Sequence, residues 1–161
     1  MDTKNVNNVK VYFASPWFNP EQAEREDRVK NKLRELGFNV WSPKDNCNCS
    51  PIADDEMRKK VFGDNVYNIV TCDIIFAITD GKDMGTIWEA GFACGINHMR
   101  SEPIDRRIKV VYYCETLGPN GQFNLMLAQS GDIVVTKFED LDKLPALIER
   151  GEGLAYTGII E

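Results

Sequence analysis

The chain has 161 residues, enough for one domain with a substantial core and too few for two of ordinary size. Its balance is mildly acidic, with 25 Asp and Glu against 19 Lys and Arg, which disfavours nucleic acid or an anionic membrane as partner. No apolar run nears the roughly 20 residues of a membrane span, and residues 1–8 lack an apolar leader, so a cytosolic protein with reduced cysteines is expected.

Val9-Lys10-Val11-Tyr12-Phe13-Ala14 is apolar, β-branched and aromatic and stops at Ser15-Pro16, which reads as a first strand with Trp17 and Phe18 at its end. Residues 21–36 carry charges around Ala23, Val29, Leu33 and Leu36 and close at Gly37, an amphipathic helix with a glycine cap. A short strand at 38–41 leads into a polar, proline-bearing loop through Pro51. A second helical pattern spans 54–71, with Met57, Val61, Val66 and Ile69 as core positions and Gly63 as a point of bending or interruption. The apolar run 73–78 is a third strand, followed by a helix over 85–98 in which Gly91, Ala93 and Gly95 allow close approach to a sheet. His98, the one histidine, falls at that helix's far end as a surface residue. Strands at 107–113 and 132–135 flank a Gly118-Pro119-Asn120-Gly121 turn and a short helix at 123–128. A last helix covers 138–149, and the tail 150–161 is apolar at Ile159-Ile160. Alternating strands and helices with short connections imply an α/β fold, a flavodoxin-like three-layer sandwich with a five-stranded parallel sheet, as a single domain over 1–161.

The stretch Asp83-Met84-Gly85-Thr86-Ile87-Trp88-Glu89 sets two carboxylates around a strand-to-helix turn at the carboxyl edge of that sheet, where open α/β sheets bind ligands. Two readings stand side by side: Asp83 caps the helix and Glu89 is an ordinary first-turn acid, or Glu89 is a nucleophile kept ionised by the helix dipole. Phosphate-binding glycine loops are absent, and a single histidine removes most triad and relay mechanisms. Cys47-Asn48-Cys49 has a one-residue spacer and no second pair, short of a zinc site, so neither metal nor cofactor is expected. Where a phosphoacceptor receiver domain needs acidic residues, the first strand ends in Ala14-Ser15-Pro16-Trp17. Aromatic groups at one strand end and carboxylates at another suit a flat ring joined to a polar, uncharged group, as in sugar–base chemistry.

Taken in order, these segments resemble the nucleoside 2-deoxyribosyltransferase family. The pieces are Tyr12-Phe13-Ala14-Ser15-Pro16-Trp17-Phe18, Pro43-Lys44-Asp45-Asn46, Asp83 with Glu89 six residues on, Asn124-Leu125-Met126, and Tyr156-Thr157-Gly158-Ile159-Ile160-Glu161. The resemblance implies that Glu89 attacks the anomeric carbon, that Tyr12 holds the nucleophilic carboxylate, and that Asp83 bonds the deoxyribose hydroxyls. It implies a substrate-binding set of Trp17, Phe18, Asp45, Cys47, Asn65 and Glu161, with Asn124 and Met126 lent by a neighbouring subunit. A homo-oligomer, dimer to hexamer, acting on a 2'-deoxynucleoside and a free nucleobase is then expected. Two departures stand out: the family's base-contacting aspartate falls on Asn65, with Asp64 beside it as the other candidate, and the glutamine after the Pro-x-Asp-Asn element is replaced by Cys47. Asparagine can hydrogen-bond a base edge but cannot give the leaving nitrogen a proton. The charge of Asp83 favours a free nucleoside over a 5'-monophosphate. The alternatives are a deoxynucleoside 5'-monophosphate N-glycosidase and a non-catalytic nucleoside- or nucleotide-binding module.

Overall fold

A computed structural model describes residues 6–47, 50–99 and 107–161. The expectations placed on Cys49 and on the first five residues lie outside these. Strands β1 (Lys10–Ala14), β2 (Asn39–Trp41), β3 (Ile74–Ile78), β4 (Lys109–Tyr113) and β6 (Ile133–Val135) form a five-stranded sheet in the order β2-β1-β3-β4-β6. Every pairing is parallel; Tyr12, for example, lies opposite Trp41 on one side and Ile75 on the other. A second, two-stranded parallel pair joins β5 (Gln122–Phe123) to β7 (Ile159–Ile160), which gives the apolar end of the tail its partner.

Side chains that alternate along each strand build two cores. Val11, Phe13, Ile74, Phe76, Val111 and Tyr113 pack on Val29 and Leu33 of α1 (Pro20–Glu35) and on Leu144 of α6 (Leu144–Arg150). On the opposite face Tyr12, Ala14, Ile75, Ala77 and Tyr112 pack on Ile69 of α3 (Asp55–Val70), Ala90 and Ala93 of α4 (Met84–Met99) and Ala128 of α5 (Leu125–Ser130). Both faces are thus covered, as a parallel sheet of continuous apolar strands requires.

Local chemistry sets the helix starts. Asn19 accepts a hydrogen bond from Gln22 N at 2.9 Å ahead of Pro20, and Asp54 accepts from Met57 N at 2.8 Å, so both helices open on a polar cap. Several sequence expectations are corrected. Of the four apolar positions assigned to the core of α3, only Ile69 is buried; Met57 is exposed and Val61 and Val66 are intermediate. Gly63 does not interrupt it. On α4 it is Ala90 and Ala93 that meet the sheet, while Gly91 and Gly95 face outward with open space where a Cβ would stand. The proline-bearing loop holds a one-turn helix, α2 (Pro43–Asn46). The short helix starts at Leu125, since Phe123 belongs to β5 and Asn124 is the cap, and the last helical stretch divides into a 3-10 segment (Phe138–Lys143) and α6 before Pro145.

Candidate active site

The phenol of Tyr12 donates a hydrogen bond to Glu89 Oε1 at 2.5 Å, across 77 positions of chain. Strand β1 fixes Tyr12, which is fully buried, and the second turn of α4 carries Glu89 over it at the carboxyl edge of the sheet. Trp41, at the end of β2, stacks on the Tyr12 ring with centroids 5.2 Å apart. No donor among the described residues reaches Glu89 Oε2, so one oxygen is held and the other is left for chemistry.

Burial pushes Glu89 up from the ordinary 4.5 to about 7, with Tyr12's hydrogen bond pulling it down and the charge of Asp83 pushing it up. Desolvation thus works against the ionised form that a helix start favours, and near neutral pH the carboxylate and its protonated form are both populated. Tyr12 is driven well above its usual range, first by burial and then by the Glu89 charge, so the phenol stays a proton donor. Asp83 accepts a hydrogen bond from Thr86 N at 2.8 Å and caps the first turn of α4. The capping reading of Asp83 and the proximity of its charge to Glu89 both hold.

The model of the family described as nucleoside 2-deoxyribosyltransferase matches residues 11–142. The chain belongs to that family. Membership implies nucleoside and nucleobase substrates. Among solved structures, a 2-deoxyribosyltransferase from Bacillus psychrosaccharolyticus is similar at 27% identity, over 92% of this chain and 100% of that one, with a TM-score of 0.73. A conserved protein from Enterococcus faecalis V583 shares the fold at 21% identity, 87% and 98% coverage and TM-score 0.66. So does a CMP N-glycosidase from Clostridium botulinum, at 17% identity, 85% and 98% coverage and TM-score 0.52. Comparison with curated proteins gives no match.

The other family positions divide by place. Cys47, just after α2, is buried, and its thiol is pushed up by burial and by the Asp64 charge, with a smaller push from Glu89, so it borders the Tyr12–Glu89 pair. Asn65 lies on α3 with its Oδ1 buried and unpartnered. Asp64, the other candidate for the base-contacting position, is ion-paired to Lys60 at 2.7 Å with its side chain 46% exposed. The rings of Trp17 and Phe18 lie 5.3 Å apart and tilted by 30° beyond β1, with Phe18 exposed.

Asp45 is not brought to this hollow as a free group. Its two oxygens bind Lys30 at 2.8 Å and Arg34 at 2.7 Å, within an ionic network around the fully buried Glu26. Glu26 takes hydrogen bonds from Lys30 at 2.9 Å, Lys44 at 2.9 Å and Ser42 at 3.1 Å. This network clamps α2 to α1 and so fixes the segment that ends in Cys47. The pair Glu26 and Lys30, four apart on a helix, was its sequence signal.

Asn124, Met126 and Glu161 line a separate groove of about 500 Å³, shared with Thr79, Lys82, Ile87 and Leu117. Asn124 Oδ1 caps α5 through Met126 N at 2.9 Å, and Glu161 lies 3.5 Å from Lys82 Nζ. Ile87 and Glu89 stand two residues, about 200°, apart around α4, so this groove and the Tyr12–Glu89 pair lie on opposite sides of one helix. Trp41 escaped sequence reasoning because one aromatic ending a three-residue strand carries no pattern of its own.

Among the described residues no helix is long and apolar enough to cross a membrane, and no group of three His, Cys, Asp or Glu could hold a metal ion.

Proposed function

We propose that the protein transfers 2-deoxyribose from a 2'-deoxynucleoside to an acceptor nucleobase by two displacements at the anomeric carbon. The observation that carries this reading is the partly buried Tyr12–Glu89 hydrogen bond, which holds one carboxylate oxygen and leaves the other free. Glu89 Oε2 attacks C1', the C1'–N bond breaks with its electron pair going to the base, and an ester forms between deoxyribose and Glu89. The departing base takes a proton from solvent, since Asn65 has none to give. A nitrogen of the second base then attacks C1', the ester bond breaks, that nitrogen loses its proton, and the Glu89 carboxylate returns. Two inversions retain the configuration at C1'.

Asp83 reads the sugar hydroxyls through the oxygen not used in capping, and its charge opposes a 5'-phosphate. Trp17, Phe18, Trp41, Cys47 and Asn65 surround the base. Asn124, Met126 and Glu161 serve the hollow of a neighbouring subunit, a reading supported by their position on the far side of α4 from their own Glu89. An aromatic face on α3 and α4, with Phe62 58% and Trp88 50% exposed and their rings 5.8 Å apart, supports association. Nucleoside salvage in the cytoplasm, by a single domain without cofactor, is the setting that these features fit.

Incubation with 2'-deoxyinosine and adenine tests the proposal, with 2'-deoxyadenosine as the expected product. Absence of exchange for every nucleoside and base pair, or full activity in Glu89→Ala, would overturn it. Faster base release from a 5'-monophosphate than from the nucleoside would establish the N-glycosidase instead, and binding without base release would establish the non-catalytic module.

A further inference from the structure

Tyr12 stands opposite Trp41 in the register of β1 and β2, and opposite Ile75 in the register of β1 and β3. Side chains at paired positions share a face of the sheet, so the Tyr12 ring has one neighbour from each flanking strand. On the β2 side that neighbour is an indole, stacked at 5.2 Å between centroids. The sheet has a second stacked cross-strand pair on its other face, Phe13 and Phe76 at 5.5 Å, and both of those rings are buried and carry no polar atom. The Tyr12–Trp41 pair differs in kind: Trp41 is only half-buried, and the ring that it covers ends in the hydroxyl that holds Glu89.

What the phenol does depends on where its oxygen stands. That oxygen is at the far end of the ring from the backbone, so a tilt of roughly 10° moves it by about 1 Å, and a misplacement of that size can cost on the order of 100-fold in rate. Strand β1 fixes the Tyr12 backbone, and the neighbours on either side fix the tilt: Ile75 blocks one direction and Trp41 the other. Among the described residues the phenol is the one donor to the Glu89 carboxylate, through Oε1. The orientation of the carboxylate thus follows that of the ring, and the ring leans on the indole.

We propose that Trp41 is a positioning residue for Glu89: by closing the β2 side of the Tyr12 ring it keeps the phenol on Oε1 and so keeps Oε2 available for attack. This rests on the reading of Glu89 as the nucleophile. Trp41 acts through Tyr12, with the face of its indole spent on the phenol ring, and its effect on the carboxylate exists only while the phenol is there. An aliphatic side chain at position 41 fills part of the same volume without a flat face, which leaves the ring room to lean toward β2. A smaller aromatic ring keeps the face and the restraint.

A double-mutant cycle provides the test, read by kcat for base release from a 2'-deoxynucleoside and by carboxyl-carbon NMR titration of Glu89, its signal assigned by its loss in Glu89→Gln. Trp41→Leu is expected to lower kcat about tenfold and to move the Glu89 pKa upward from about 7, as a weakened Tyr12 contact requires. Asp83, the other charge that moves Glu89, is unaltered in every variant. Trp41→Phe should stay within about twofold of the parent in kcat, and Trp41→Leu placed in the Tyr12→Phe background, where no phenol is left to position, should change kcat by less than about twofold and leave the titration where it was. Equal losses in the two backgrounds, a Trp41→Leu protein with the parent's kcat and titration, or no rescue by Trp41→Phe would overturn the proposal. If Trp41→Leu does not fold, Trp41→Met replaces it in both backgrounds under the same criteria. The titration needs no turnover, so a protein in which Trp41 moves Glu89 only through Tyr12 but which transfers no deoxyribose would overturn the transferase reading alone. Transfer that is intact, with Trp41 and Tyr12 acting independently, would overturn the positioning role alone.

Discussion

The indole of Trp41 lies on the ring of Tyr12 at 26° and 5.2 Å between centroids, and the phenol so held meets Glu89 at 2.5 Å. Three elements from separate parts of the chain, β2, β1 and α4, thereby fix the orientation of one carboxylate. A hydrogen bond to an ionised group contributes about 1.5–3 kcal/mol. Tyr12→Phe is accordingly predicted to fold normally and to lower kcat by roughly 10- to 100-fold. It should also move the acidic limb of the pH–rate profile upward, because the contact that pulls the Glu89 proton affinity down is gone. Steady-state kinetics over pH checks both; an unchanged profile would remove Tyr12 from the role assigned to it.

The pH dependence has a definite sign. The attacking form of Glu89 is the carboxylate, and burial raises this group to about 7. Base release is predicted to increase as pH rises from 6 to 8 and then level off. A rate that falls over this interval would contradict a carboxylate nucleophile.

Stability runs the other way at the same residue. With its proton bound up to about pH 7 in the fold and only to about 4.5 in the ordinary carboxyl, the folded state binds more protons between those values, so stability is lost as pH rises through them. Glu89→Gln removes this penalty and keeps an acceptor for Tyr12. The variant is predicted to gain on the order of 2 kcal/mol at pH 8 and almost nothing at pH 4, by denaturant unfolding at the two values.

Asp83 combines a cap and a charge, and Asn separates them. Asp83→Asn keeps an oxygen for Thr86 N, held at 2.8 Å, and relieves the repulsion that raises Glu89. The acidic limb of the rate profile should shift downward with little change in Tm, whereas Asp83→Ala should also lose about 1 kcal/mol of stability. Asp83→Asn should further tolerate 5'-monophosphates better than the parent, measured as the ratio of kcat/KM values.

The buried network around Glu26 yields a prediction remote from the chemistry. Removing Glu26 leaves Lys30, which is 3% exposed, and Lys44 with one fewer acidic partner each, although Asp45 and Asp27 still reach them at 2.8 Å. Glu26→Ala is predicted to cost about 3 kcal/mol, the low end of the range for breaking a buried ion pair. It should also raise KM more than it lowers kcat, since α2 positions Cys47 and not the nucleophile.

Much of the architecture was legible because parallel strands buried on both faces read as continuous apolar runs, and Asn19-Pro20 and Asp54 announce helix starts. Core positions on α3 were misread because periodicity reports which residues share a face and not how far that face extends over the sheet. Gly91 and Gly95 were misplaced for a related reason: small residues mark close approach only on the buried side, and Ala90 and Ala93 occupy it. The carboxylate pair was visible from its place at a strand end. Its proton affinity was not, since desolvation of Glu89 depends on Tyr12, 77 positions away, and on a hollow that only the fold creates. Asp45 had the right motif around it, yet its partners Lys30 and Arg34 belong to a different element and claimed both oxygens.

Helix α4 is a party wall. Ile87 faces the groove of Asn124 and Met126, Glu89 faces Tyr12, and one 16-residue helix carries both. The depth of the groove and the reach of the carboxylate are consequently not independent quantities. The same few turns of backbone set the position of both the groove wall and the carboxylate.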